Sequence, residues 1–199
     1  MKLLMSGASP FVRKVLVVLR ETQQLDDVEI VSVTTAPGAT PAELAAANPI
    51  GKIPALVRNG GATLYDSRVI TRFLDDRAKA GLYPATNPWE TLTLEATGDA
   101  IMEAAVSMVY ERRLRDAAQQ SDTWVENQWE KVSRGLDALD NRWMAHLHGP
   151  LDIGHIAVGC ALGYLDFRHE DRNWRKGRDA LAAWAGKFNA RDSMQATVP

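Results

Sequence analysis

A single cysteine, Cys160, stands among 199 residues, so an intrachain disulfide framework is excluded. An excess of either charge is also missing. The 23 Lys and Arg nearly balance the 25 Asp and Glu, and a formal charge of −2 offers no electrostatic grip on nucleic acid or an anionic membrane. No stretch approaches the roughly 18 apolar residues of a membrane-spanning helix. The opening run Met1-Lys2-Leu3-Leu4-Met5 is broken at once by Ser6-Gly7, too early for a signal peptide, and a cytoplasmic protein is expected. Tryptophan is absent before residue 89, and Trp89, Trp124, Trp129, Trp143, Trp174 and Trp184 are expected to fill the core and interfaces of the second half. His146 and His148 are two apart, which on a helix puts them on different sides. With no cysteine or carboxylate cluster to complete a set of ligands, no metal is expected.

The first half is organised around Asn48-Pro49-Ile50-Gly51-Lys52-Ile53-Pro54-Ala55-Leu56-Val57. Proline cannot donate to a sheet ladder, so Pro54 belongs at a strand start or a turn. An X-Pro bond is the one place where a cis peptide is cheap, and a cis bond would turn the backbone N–H and C=O of Ile53 outward. An ordinary trans loop is the simpler alternative.

Upstream, residues 2–5 read as a strand, and Ser9-Pro10 opens a helix: serine caps, and proline occupies the first helical position. β-branched residues 28–33 give a second strand. Thr40-Pro41-Ala42-Glu43 has capping-box spacing and opens a short helix through Ala47. Residues 55–58 form a strand, turned by Asn59-Gly60-Gly61 into a hairpin partner over 62–65. Asp66-Ser67 then caps another helix. The order β-α-β-α-β-β-α is an α/β sandwich. Residues 79–88, with Gly81, Pro84 and Pro88, read as a linker. Everything beyond is helical: a long helix to about Gln119, an amphipathic helix capped by Asp122, a nearly all-apolar central helix starting at Asp152, and a last helix over about 177–188. Two domains unlike in class are expected, over 1–78 and 89–199.

This order, with Ser9-Pro10-Phe11-Val12-Arg13-Lys14, Asn48-Pro49-Ile50-Gly51-Lys52-Ile53-Pro54, Asp66-Ser67 and Gly159-Cys160-Ala161-Leu162-Gly163-Tyr164, resembles the cytosolic glutathione S-transferase superfamily, and most closely a bacterial serine-type subgroup. The resemblance covers nearly the whole chain. It implies a thioredoxin-like N-terminal domain that binds glutathione as co-substrate, an all-α domain, no cofactor, and a cytoplasmic homodimer acting in detoxification.

Residue by residue, the resemblance puts Ser9 against the glutathione sulfur as the catalytic residue, with Ser6 as the alternative hydroxyl. Structurally, Ser9 is also a plain helix cap. Lys52 would reach the glycyl carboxylate, Ile53 beside Pro54 would pair with the cysteinyl backbone, and Asp66 and Ser67 would hold the γ-glutamyl end. Ala8, Phe11, Met102, Val106 and Tyr110 would line a site for a small hydrophobic electrophile, although apolar residues at helical spacing more often form core. One departure stands out: the central helix opens with Asp152 and His155 where the family carries Ser or Thr and then Asp. Two other uses fit the same scaffold: a non-catalytic adaptor that binds a protein partner, and a glutathione-dependent dehalogenase, etherase or isomerase.

Overall fold

The computed structural model describes residues 1–35 and 38–199. They form two compact units: Met1–Ala85 together with Asp192–Pro199, and Thr86–Arg191.

The first unit is built on a three-stranded sheet, ordered β2-β1-β3, from β1 (Lys2–Met5), β2 (Glu29–Ser32) and β3 (Ala55–Val57). β1 lies parallel to β2, with Leu3 opposite Ile30, and antiparallel to β3, with Leu3 opposite Leu56. Leu3 and Leu4 point to opposite faces and both are fully buried, which a central strand covered on its two sides requires. Helices α1 (Pro10–Glu21), α2 (Ala42–Ala47) and α3 (Ser67–Ala78) complete the unit, and α1 packs on α3.

Three local expectations are corrected here. The capping box at residues 40–43 does not form: Pro41 precedes α2 with no side-chain cap, and the Glu43 carboxylate instead accepts from Lys2 Nζ at 3.2 Å. The hairpin strand expected over 62–65 contracts to one bridge, in which Leu56 and Leu64 exchange two 2.9 Å bonds. The ladder stops because the next carbonyl, that of Ala62, accepts from Arg58 Nε at 2.9 Å rather than from a strand amide. Finally, residues 192–199, expected to belong with the helical domain, group with the first unit. The cause is Arg13 in the Ser-Pro-Phe-Val-Arg-Lys run: its buried guanidinium donates to the Met194 carbonyl at 3.0 Å and to Thr197 Oγ1 at 3.4 Å. Helix α9 (Asp192–Gln195) is thereby held against α1.

The second unit contains α4 (Trp89–Leu114), α5 (Asp122–Arg142), α6 (Met144–Leu147), α7 (Ile153–Arg168) and α8 (Asp179–Asn189). α4 ends earlier than its apolar pattern suggests because the Gln120 side chain donates to the Arg112 and Arg115 carbonyls, at 3.0 and 3.1 Å, and closes the helix there. α5 is capped by Ser121, whose Oγ accepts from Trp124 N at 3.2 Å, and not by Asp122, which pairs with Arg112 at 2.7 Å.

α7 is almost wholly buried and packs along α4. The pairing is parallel: Gly154 faces Leu94, Gly98 faces Ala157, and the His169 ring just past α7 donates to the Ala105 carbonyl at 3.0 Å. The two glycines permit the close approach. A Cβ at Gly98 would sit 2.7 Å from the Ala157 carbonyl carbon, which is backbone and cannot swing aside. Gly98→Ala is therefore expected to cost about 1–3 kcal/mol and lower the melting temperature by roughly 2–10 °C, read by thermal denaturation. Among the described residues no helix is long and apolar enough to cross a membrane.

Candidate functional site

The strand pairings bring three of the expected segments to one end of the sheet. β1 runs out through Leu4 into residues 6–9, while Ala55, paired with Leu4, is preceded by Ile53 and Pro54. The antiparallel Leu56–Leu64 bridge carries the chain two residues further to Asp66, back beside Pro54. A helix start, a strand start and a second helix start therefore share one edge.

Each segment offers unpaired polar groups there. Ser9 caps α1, its Oγ accepting from Val12 N over a long 3.4 Å. That bond uses a lone pair and leaves the hydroxyl proton free to donate. The neighbouring Ser6 contributes its carbonyl to Ser9 N at 3.0 Å. The Ile53–Pro54 and Tyr65–Asp66 peptides are both cis. The Ile53 side chain packs on the cluster of Leu4, Leu44 and Ala55, yet its backbone N–H and C=O have no partner among the described residues. Asn48 Nδ2 donates to the Lys52 carbonyl at 2.7 Å and fixes the loop before it. The Lys52 ammonium is exposed and unpaired among the described residues. Asp66 caps α3 by accepting from Arg68 N at 3.0 Å, and its other oxygen lies 3.7 Å from the exposed Arg68 guanidinium. An ion pair so exposed is weak. Ser67 is 2% exposed, and its hydroxyl has no partner among the described residues.

Comparison with known proteins decides the family. Residues 8–77 match the glutathione S-transferase N-terminal domain and residues 122–186 the C-terminal domain. The chain is 32% identical, over its full length and 98% of the relative, to an uncharacterized GST-like protein, YibF, of Escherichia coli strain K12. This chain belongs to the glutathione S-transferase family. A solved transferase family member from Pseudomonas fluorescens Pf-5, crystallised with bound glutathione, is 44% identical, with a TM-score of 0.97 over all of this chain and 98% of that one. A glutathione S-transferase from Methylobacillus flagellatus KT, also with glutathione bound, is 35% identical, with a TM-score of 0.87 over 100% and 98% of the two chains.

The residues expected to meet the electrophile divide. Ala8 is exposed and Phe11 half-buried in the first unit, while Val106 is half-buried and Tyr110 is 49% exposed on α4. Met102 is corrected: at 0% exposure it is a core residue of the α4–α7 packing and presents no surface. A groove of about 680 Å³ does run along the second unit, but on another face of α4, lined by Thr93, Ala96, Ala100, Trp124 and Gln128.

Sequence reasoning also missed how the histidines assemble. Ring nitrogens of His146 and His155 and an Asp152 oxygen lie within 4.8 Å of one another, a spacing that could hold a metal ion. The cluster sits at the N-terminus of α7, where the helix dipole favours an anion over a cation. We read it as a cap. The Asp152 carboxylate accepts from His155 N at 3.1 Å, Thr91 Oγ1 at 2.6 Å, His146 Nε2 at 2.6 Å and His155 Nδ1 at 2.7 Å. His155 Nδ1 also lies 3.3 Å from Asp152 N, the position of a capping-box return bond. One nitrogen cannot donate to the carboxylate and accept from the amide together, and the shorter, charge-assisted contact places the proton on Nδ1. Histidine thus replaces the reciprocal bond by a ring-to-carboxylate one. The cost is a buried Nε2 with no partner among the described residues.

Proposed function

We propose that this transferase-family chain is a glutathione transferase in which the hydroxyl of Ser9 stabilises the glutathione thiolate for attack on a small electrophile. The observation that carries the reading is the convergence of residues 6–9, Ile53-Pro54 and Asp66-Ser67 at one end of the sheet, each with unpaired polar groups. Along that edge the Ile53 backbone suits an extended peptide, forming two hydrogen bonds as an added strand would. The Asp66 carboxylate suits the γ-glutamyl ammonium, and the Ser67 hydroxyl with the free N–H groups of the α3 start suits its carboxylate. Lys52 is free to reach the glycyl carboxylate. The glutathione bound in the Pseudomonas fluorescens and Methylobacillus flagellatus relatives supports the same ligand here. The chemistry needs no other group: the thiol proton passes to water, Ser9 donates to the sulfur, and a carbon–sulfur bond forms as the leaving group departs.

Isothermal titration with glutathione and with S-methylglutathione tests the cradle. Both are expected to bind in the micromolar to low-millimolar range, and absence of binding by either would place the chain with non-catalytic adaptors. Asp66→Ala is expected to weaken binding about 10–100-fold, the loss of one charged hydrogen bond. The pKa of the bound thiol should stay where it was, and a shift would overturn the assignment of Asp66 to the far end of the peptide.

A further inference from the structure

At the C-terminal ends of α4 and α7 most arginines hold a carboxylate: Arg112 that of Asp122, Arg115 that of Glu111, Arg172 that of Glu126 and Arg175 that of Asp166. Arg113 and Arg168 hold none among the described residues. Arg168 Nε is buried without a hydrogen-bond partner, while its guanidinium lies 3.9 Å over the Phe167 ring. A buried guanidinium donor left unmet is costly.

The helix register puts these groups together. Because His169 meets Ala105, Arg168 falls level with the stretch of α4 just before Tyr110, and Arg113 follows Tyr110 by one turn. α4 runs on past the end of α7. Tyr110 and Phe167 stand 49% and 40% exposed, and the Tyr164 ring packs edge-on to Phe167 at 6.4 Å. Burial pushes the Tyr164 phenol up to about 12; the Arg168 and Arg113 charges pull against this and Tyr110 adds to it, so the hydroxyl stays a donor at ordinary pH. Two acidic side chains of the neighbourhood are engaged elsewhere, Glu111 with Ser121 N and Arg115 and Asp166 with Trp174 and Arg175, while Asp171 lies beside His169 and Arg172.

The Arg113 guanidinium, the Arg168 guanidinium beside the Tyr164 hydroxyl, two phenols and exposed rings describe a receptor for a planar anion attached to an apolar body. We propose that this end of the second unit binds an organic carboxylate, its oxygens held by Arg113 and Arg168 with the Tyr110 and Tyr164 hydroxyls and its apolar part against Phe167. As the acidic end of the molecule that reacts with glutathione, the assignment rests on the transferase reading; as a binding site it does not.

The test is ligand-observed NMR titration of the full chain with 3-phenylpropanoate, with the uncharged 3-phenylpropanamide and with inorganic phosphate. The carboxylate is expected to bind at least tenfold tighter than the amide. Arg113→Met and Arg168→Met are each expected to remove most of that preference, and Arg168→Lys, which keeps the charge and loses the fork, to restore part of it. Thermal melts establish that each variant folds, and the exposed Arg113 supplies a test should Arg168 variants not. Equal binding of acid and amide, no binding, a preference for phosphate, or a preference unchanged in both arginine variants would each overturn the proposal. Glutathione titration of the same samples separates the two readings: glutathione binding without carboxylate selectivity sinks this inference alone.

Discussion

Asp152→Ala is expected to be among the most destabilising single substitutions in the second unit, costing about 3–5 kcal/mol. The carboxylate is the common acceptor for four donors on three segments: Thr91 in α4, His146 in α6, and the ring and backbone of His155 in α7. Alanine removes the cap of the central helix and also leaves buried Thr91 and His155 donors without an acceptor. The melting temperature should fall by roughly 6–20 °C, and Asp152→Asn, which keeps the shape and loses the charge, should fall between. A melting temperature within about 2 °C of the parent would show that α7 does not depend on this cap.

The same carboxylate makes stability pH-dependent. Burial raises its pKa, but the hydrogen bonds from His155, Thr91 and His146 outweigh burial and hold the carboxyl well below the usual carboxylate range. A group depressed in the folded state stabilises fully above its unfolded value, near about 3.9, and that contribution is lost as pH falls through and below it. The melting temperature of the parent should therefore drop more steeply than that of Asp152→Asn between about pH 5 and about pH 3.

Ser9→Ala is expected to raise the thiol pKa of bound glutathione by about 1–2 units. A free thiol titrates near 8.5, which leaves about 3% thiolate at pH 7, whereas a value near 6.5 gives roughly three-quarters. That difference corresponds to about 2.7 kcal/mol. A hydroxyl donating to a charged sulfur supplies about 1.5–3 kcal/mol, and the positive end of α1 about 0.3–1 more. Because α1 keeps Pro10 at its first position and its core contacts, the variant should fold and bind glutathione with turnover about 3–25-fold lower at neutral pH. An unchanged thiol pKa would transfer the role to Ser6 or to backbone amides.

What could be read from the sequence was what is decided by neighbours in the chain. Ser9-Pro10 and Asp66-Ser67 start helices by local chemistry, and Ile53-Pro54 must open a strand because proline has no N–H to give a ladder. Where a long-range partner intervenes, the pattern misleads. Arg58 takes the Ala62 carbonyl and ends the hairpin early, and Lys2 draws Glu43 from its cap. Arg13 binds Met194 across 181 residues of chain, so the last segment joins the first unit, which no periodicity reveals. The meeting of His146 with His155 was hidden because the break at Gly149-Pro150 between α6 and α7 folds the two back on each other. Met102 looked like a site residue because helical spacing cannot tell which apolar stripe of α4 faces α7.

The central claim is that this chain binds glutathione and ionises its thiol. The measurement that tests it most directly is an ultraviolet titration of thiolate absorbance in the binary complex of the unaltered protein, against free glutathione in the same buffer. A bound thiol titrating near 6.5, about two units below a free one, is the expected result. Saturating binding with the thiol still titrating near 8.5 would contradict it, and would leave a protein that holds glutathione without activating it.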